Sequence, residues 1–168
     1  MTENEIATII VDTAFHIHQD LGPGLFESVY EGIMEVELAK RGLVVDRQKP
    51  IPLVYHDVHF KAGFRCDLLV QYKVIVEVKS IETLHPVHKK QVITYLRFAD
   101  KRLGLLINFN VPLIKDGIVR LVNGRSKLQV RAKTQRPAKH APSIQRMPLR
   151  GQVSRKLVSA CRSKIGTS

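Results

Sequence analysis

The segment Leu103-Gly-Leu-Leu-Ile-Asn-Phe109 is apolar at nearly every position, and that continuity constrains the fold more than any other stretch of the chain. A strand with one wet face alternates apolar with polar residues, whereas a strand covered on both faces reads as an unbroken apolar run. The chain therefore calls for a sheet with cover on both sides. Cover is visible in the sequence. Ile6, Ile9, Ile10, Ala14, Ile17 and Leu21 recur at steps of three and four, the spacing of an amphipathic helix. Gly22-Pro23-Gly24 interrupts it, because proline disfavours helix in the residue before it and glycine admits sharp turns. A second helix is expected with Phe26, Val29, Tyr30, Ile33 and Leu38 on one face, acids early and Lys40-Arg41-Gly42 at its end. A third is expected from about Pro86 to Ala99, with Val87, Val92, Tyr95, Leu96 and Ala99 aligned.

The remaining strands are shorter. Leu43 to Asp46 and Ile51 to Tyr55, broken by Pro50 and Pro52, read as edge or bulged strands. Phe60 to Val70 and Val74 to Lys79 form the clearest pair, and Ile118 to Val122 closes the pattern near Gly124. The fold class predicted is α/β, a mixed sheet of four to five strands flanked by helices.

Charge divides the chain in two. Residues 1–124 carry 15 Lys and Arg against 15 Asp and Glu, whereas residues 125–168 carry 12 against none, so the formal net charge of +12 belongs wholly to the last quarter. We read 1–124 as the folded domain and 125–168 as a basic tail without acids, with proline at 137, 142 and 148 and expected to be disordered, that binds nucleic acid through salt-sensitive phosphate contacts. A short basic amphipathic helix on Val153, Leu157, Val158, Cys161 and Ile165, or a tail with no selected role, are alternative readings of that segment. No apolar run approaches the roughly 18 residues of a membrane span, and the acidic N-terminus lacks secretory features, so the expected location is cytoplasmic. Cys66 and Cys161, and the pairs His16/His18, His56/His59 and His85/His88, lack zinc-ligand spacing.

The hairpin carries the chemistry. With Gln71-Tyr72-Lys73 as its loop, Val70 faces Val74, Leu68 faces Val76, Cys66 faces Val78 and Asp67 faces Glu77. One register then gathers Cys66, Leu68, Val70, Val74, Val76 and Val78 on one side and the acids on the other, and a slip by one residue destroys both sets. Directly opposed side chains in an antiparallel pair have Cβ atoms about 4.5–5.5 Å apart. Two carboxylates held that way repel unless a cation lies between them, and Mg²⁺ (or Mn²⁺) suits two such acids beside a substrate phosphate. Lys79, two residues beyond Glu77, shares its face and is placed to hold or deprotonate a water, or to stabilise a developing anion. Gln91 and Tyr95, four apart on one helix face, are placed to reach the substrate or brace Lys79. Glu27 offers a third metal ligand, although a helix N-terminal acid is favoured by the dipole alone.

Asp67, Glu77-Val78-Lys79 and Gln91-x-x-x-Tyr95 together resemble the ordered motifs of PD-(D/E)xK nucleases, and Gly24-Leu-Phe-Glu27-Ser-Val-Tyr30 resembles the pattern that names the GxxExxY family within them. The resemblance runs from about Ile6 to Asn123 and departs from the superfamily pattern at Cys66, where a proline is usual. It implies a restriction-endonuclease-like core, Asp67 and Glu77 as Mg²⁺ ligands, Lys79 as the catalytic lysine, and Glu27, Gln91 and Tyr95 as supporting residues. Nucleic acid, DNA before RNA, is the expected partner, contacted by Tyr30, Lys89, Arg125, Lys127, Arg131 and Lys133. A homodimer is left open. The competing reading is a catalytically silent nucleic-acid-binding or protein-interaction module on the same fold.

Overall fold

The computed structural model describes residues 1–124. The expected disordered tail, with Arg125, Lys127, Arg131, Lys133 and the amphipathic stretch near its end, lies outside the described residues.

Helix α1, Glu3–Leu21, starts at a capping box. The Thr2 hydroxyl accepts the Glu5 N–H at 3.3 Å while the Glu5 carboxylate accepts the Thr2 N–H at 2.7 Å, which satisfies two donors that the first turn leaves free. Ile6, Ile10, Ala14 and Ile17 form its buried stripe, as the periodicity predicts. Helix α2, Glu27–Lys40, buries Tyr30, Glu31, Met34 and Leu38. The predicted face included Phe26 and Val29, and both are exposed, Phe26 by 81%. Phe26 is the N-cap residue and precedes the first helical position, while Val29 sits about 100° around the helix from Tyr30.

A five-stranded sheet follows, in the order β1 (Val45–Tyr55), β2 (Val58–Val70), β3 (Val74–Lys79), β4 (Leu103–Asn108) and β5 (Ile118–Val122). Neighbours are antiparallel except β3 and β4, which run parallel and are joined through helix α3, Pro86–Phe98. A one-turn helix α4, Ile114–Gly117, leads into β5. The two short N-terminal strands predicted are one long strand, β1, whose register shifts between Ile51 and Leu53. Pro50 and Pro52 fit there because β1 is an edge and one side of it needs no ladder donors.

β4 is buried at all six positions, as its unbroken apolar run demands. On one face, α1, α2 and Ile114 of α4 pack on Leu68, Val70, Val74, Val76, Val78, Leu103, Leu105 and Ile107. On the other, Val92 and Leu96 of α3 pack on Leu69, Ile75 and Leu106. α3 comes close enough that a Cβ on Gly104 would meet Val92 Cγ1 at 2.7 Å, so only glycine fits at that point of β4. The fold is thus the restriction-endonuclease-like α/β type, helices on both sides of a mixed sheet. No helix among the described residues is long and apolar enough to cross a membrane.

One departure from strand alternation bears on the site. Cys66 was predicted to share a face with Leu68 and Val70, but it packs with Ile51, Leu69, Ile75 and Leu106 on the α3 side, and Phe64 packs against the same group. Leu68 and Val70 pack on the α1–α2 side. The β1–β2 ribbon therefore inverts its facing between Cys66 and Leu68, at Asp67. Opposite, between the pairs Arg47↔Leu68 and Lys49↔Cys66, stands Gln48 with φ +51. A left-handed residue in a strand breaks the two-residue alternation and supplies the inversion.

Candidate active site

The β2–β3 hairpin has the predicted register, Val70↔Val74, Leu69↔Ile75 and Leu68↔Val76. The paired rungs end there. Beyond Leu68 and Val76, Asp67 Oδ2 accepts the Val78 N–H at 2.8 Å, so a side chain takes the donor that a strand carbonyl would otherwise take. Asp67 is thereby held in the fork between two strands instead of standing across a rung from Glu77. Its Oδ1 accepts from Gln48 Nε2 at 3.3 Å.

Glu77 shares the α3-side face of β3 with Ile75 and Lys79, by alternation, and is 2% exposed. Its Oε1 accepts from Lys79 Nζ at 2.8 Å. Its Oε2 is buried and has no hydrogen-bond partner. Burial first, and then the Asp67 charge, push the Glu77 carboxyl up to about 7. Burial likewise raises Asp67, partly offset by the Val78 N–H. Burial alone would lower the Lys79 ammonium, but the bond to Glu77 and the charges of Glu77, Asp67 and Glu27 outweigh it, so Lys79 titrates above its ordinary value.

Glu27, at the start of α2, reaches the end of β3, where its Oε1 accepts the Ser80 N–H at 3.1 Å; the Ser80 hydroxyl donates to Leu25 O at 2.6 Å. Its carboxylate is thus engaged with the backbone. Among the described residues no group of three or more His, Cys, Asp or Glu side chains is arranged to hold a metal ion, so the expected trio of Asp67, Glu77 and Glu27 is not assembled as a ligand set. Gln91 Nε2 donates to Tyr95 Oη at 2.7 Å, the i,i+4 contact that their spacing predicts. Tyr95 also stacks on Phe64, ring centroids 4.1 Å apart. Burial is the main cause that raises the Tyr95 phenol, and the charges of Glu77, Lys79 and Asp67 also act on it. Gln91 and Tyr95 thus border the site and bond to each other.

The expectation that Tyr30 meets nucleic acid is corrected. Tyr30 is fully buried and stacked on Phe109 at 4.2 Å. Its hydroxyl donates to Gly22 O at 2.7 Å and accepts the Leu25 N–H at 3.3 Å, so it pins the loop that delivers Glu27. Lys89 is exposed on α3. Four residues of the site went unrecognised in the sequence: Glu31, Gln48, Ser80 and Asn108. Asn108 is buried at the end of β4 and brackets Ile81, accepting its N–H at 3.0 Å and donating to its carbonyl at 2.8 Å, which holds the chain just after Lys79. Its signal was present, a lone amide closing an apolar run.

The family model of the PD-(D/E)XK nuclease superfamily matches residues 4–121, nearly all of the described fold. The chain belongs to the PD-(D/E)XK nuclease superfamily. No curated protein and no solved structure matches significantly. Glu77-Val78-Lys79 matches the spelling (D/E)XK in the superfamily's name, and Asp67 is preceded by Cys66 where that spelling has proline. The Cys66 thiol is buried, with its pKa raised by that burial to about 12, and it is inert at neutral pH.

PD-(D/E)XK nucleases generally act as metal-dependent hydrolases, and the donor set here fits a divalent cation. Asp67 and Glu27 both act electrostatically on Glu77, and all three acids act on the Lys79 ammonium, so these four groups carry two negative charges in excess when all are ionised. Glu77 Oε2, orphaned and buried, is the specific atom that lacks a counterpart. A buried carboxylate oxygen without a donor is costly, and Mg²⁺ needs only one or two carboxylates besides water and phosphate.

Proposed function

We propose that this chain is a metal-dependent nuclease that hydrolyses phosphodiester bonds of DNA, or of RNA, and that it belongs to the GxxExxY branch of its superfamily. The observation that carries the proposal is the buried Glu77 carboxylate, with one oxygen on Lys79 and the other unpartnered, beside Asp67 in the strand fork. In this reading Asp67 and Glu77 hold Mg²⁺ or Mn²⁺, and Glu27 supports from behind through the Ser80 backbone. A divalent cation so held supplies Lewis-acid charge neutralisation and water activation.

The protein's own groups do the rest. Lys79, bonded to Glu77 Oε1, stands beside the carboxylates that would hold the cation, placed to orient water and to offset charge on the phosphate. Val78 N–H and Gln48 keep the Asp67 carboxylate from rotating out of the fork. Tyr95, stacked on Phe64 and bonded to Gln91, forms a stiff polar border at which a substrate strand can be oriented. Lys89 and the basic residues after Gly124 supply phosphate contacts.

The test is a cleavage panel on the full chain with Mg²⁺ and with Mn²⁺, across single-stranded, double-stranded and branched DNA and RNA, with Lys79→Ala as control. Metal-dependent cleavage that drops by on the order of 10²–10³-fold in Lys79→Ala supports the proposal, and equal cleavage by the variant removes it. The engagement of Glu27 with Ser80 favours the second reading, a catalytically silent nucleic-acid-binding module on the same fold. That reading expects salt-sensitive binding with no turnover anywhere in the panel.

A further inference from the structure

Five non-glycine residues among those described have positive φ. Gln71 and Tyr72 lie in the β2–β3 turn, His56 in the β1–β2 turn and Asp100 in the loop after α3, where such angles are ordinary. Gln48 lies inside a strand, at φ +51. A side chain with a Cβ is strained there, and strain of this kind persists only where surrounding contacts enforce it.

The contacts around Gln48 all lead to the site. Its Nε2 donates to Glu31 Oε2 at 2.6 Å and to Asp67 Oδ1 at 3.3 Å, one amide hydrogen for each carboxylate. Glu31 is 7% exposed and takes a second hydrogen bond from Arg47 Nε at 3.3 Å, and Arg47 Nη2 is anchored on Ser28 O at 3.0 Å. The path from α2 to Asp67 is therefore continuous: Arg47 to Glu31, Glu31 to Gln48, Gln48 to Asp67, Asp67 to the Val78 N–H. In an ordinary extended strand the residue opposite Asp67 would follow the alternation of its neighbours. The left-handed backbone at Gln48 frees it from that alternation and aims its amide into the fork.

The choice of an amide is informative. Arginine or lysine at this point would also bridge the two acids, but would neutralise Asp67 and compete with a cation for it. Glutamine holds the carboxylate by a hydrogen bond and leaves its charge available.

We infer that Gln48, backed by Glu31, is a positioning residue that fixes the Asp67 carboxylate for cation binding, and that the strained strand conformation is kept for that purpose. The inference rests on the reading of Asp67 as a cation ligand.

The test is Mn²⁺ titration by calorimetry, with urea unfolding in parallel, on the full chain and on Gln48→Asn and Gln48→Gly. Asparagine tolerates the left-handed backbone and keeps the amide, but is one methylene too short to span both carboxylates; glycine removes the side chain and the strain together. The expected result is a rise of about tenfold to a hundredfold in the Mn²⁺ dissociation constant of both variants, out of proportion to any fall in the Gln48→Asn urea midpoint. Unchanged Mn²⁺ affinity in both variants overturns the inference, and so does an affinity loss that only tracks a fall in the urea midpoint of both. If the wild type binds Mn²⁺ and the variants bind it more weakly while no nucleic acid is cleaved, the nuclease reading fails and the positioning role stands. If the wild type cleaves and the variants bind Mn²⁺ as it does, the positioning role fails alone. A wild type that binds no Mn²⁺ ends both.

Discussion

Asp67 Oδ2 and the Val78 amide are 2.8 Å apart, so the acid proposed as a metal ligand also finishes the ladder between β2 and β3. A single carboxylate serves as strand cap and as candidate ligand, and substitutions separate the two roles. Asp67→Ala leaves the Val78 N–H without its acceptor and is expected to cost about 1–3 kcal/mol in urea unfolding. Asp67→Asn keeps an acceptor oxygen in nearly the same place and is expected to retain most of that stability. Both are expected to lose metal-dependent cleavage.

The Glu77 carboxyl, raised to about 7 by burial and by Asp67 despite its bond to Lys79, makes stability depend on pH in a direction opposite to that of an acid whose pKa is lowered on folding. Below about 4.5 the group is protonated in the folded and unfolded chain alike. Between about 4.5 and 7 the unfolded chain releases the proton and the folded chain retains it, so the folded state loses ground as pH rises. Above about 7 the penalty is complete, on the order of 3 kcal/mol. In the presence of a chelator, urea midpoints of the wild type are expected to fall relative to those of Glu77→Gln across that window. Parallel profiles for the two proteins would contradict the assignment.

Tyr30→Phe keeps the stack on Phe109 but removes the hydroxyl that joins Gly22 O to the Leu25 N–H. A loss of about 1–2 kcal/mol is expected in urea unfolding. Faster amide exchange is expected around Leu25. Nucleic-acid affinity at fixed salt is expected to stay at the wild-type value, because the fully buried ring cannot touch a ligand. A selective loss of affinity without loss of stability would restore the contact role that the buried position argues against.

What could be read from the sequence was whatever depends on period and local spacing. The hairpin register was legible because one pairing alone puts Leu68, Val70, Val74 and Val76 together, and Gln91–Tyr95 was legible because residues four apart meet on a helix. The placement of Cys66 was not, because alternation assumes that every strand residue is extended, and Gln48 is not. No sequence signal marks a left-handed glutamine. Tyr30 was misjudged because its hydroxyl reads as a surface group, and only the turn of the chain at Gly22 brings a carbonyl within its reach. Glu31 reads in the sequence as one more acid near the start of α2, where the helix dipole accounts for it; its burial follows from tertiary packing against Arg47 and Gln48.

The most direct test of the shared cation is calorimetric titration of Mn²⁺ into the full chain and into Asp67→Asn and Glu77→Gln, above pH 7 where Glu77 is ionised. One ion per chain is expected to bind the wild type, and neither variant is expected to bind it, although both remain folded. Wild-type affinity in either variant would contradict the account.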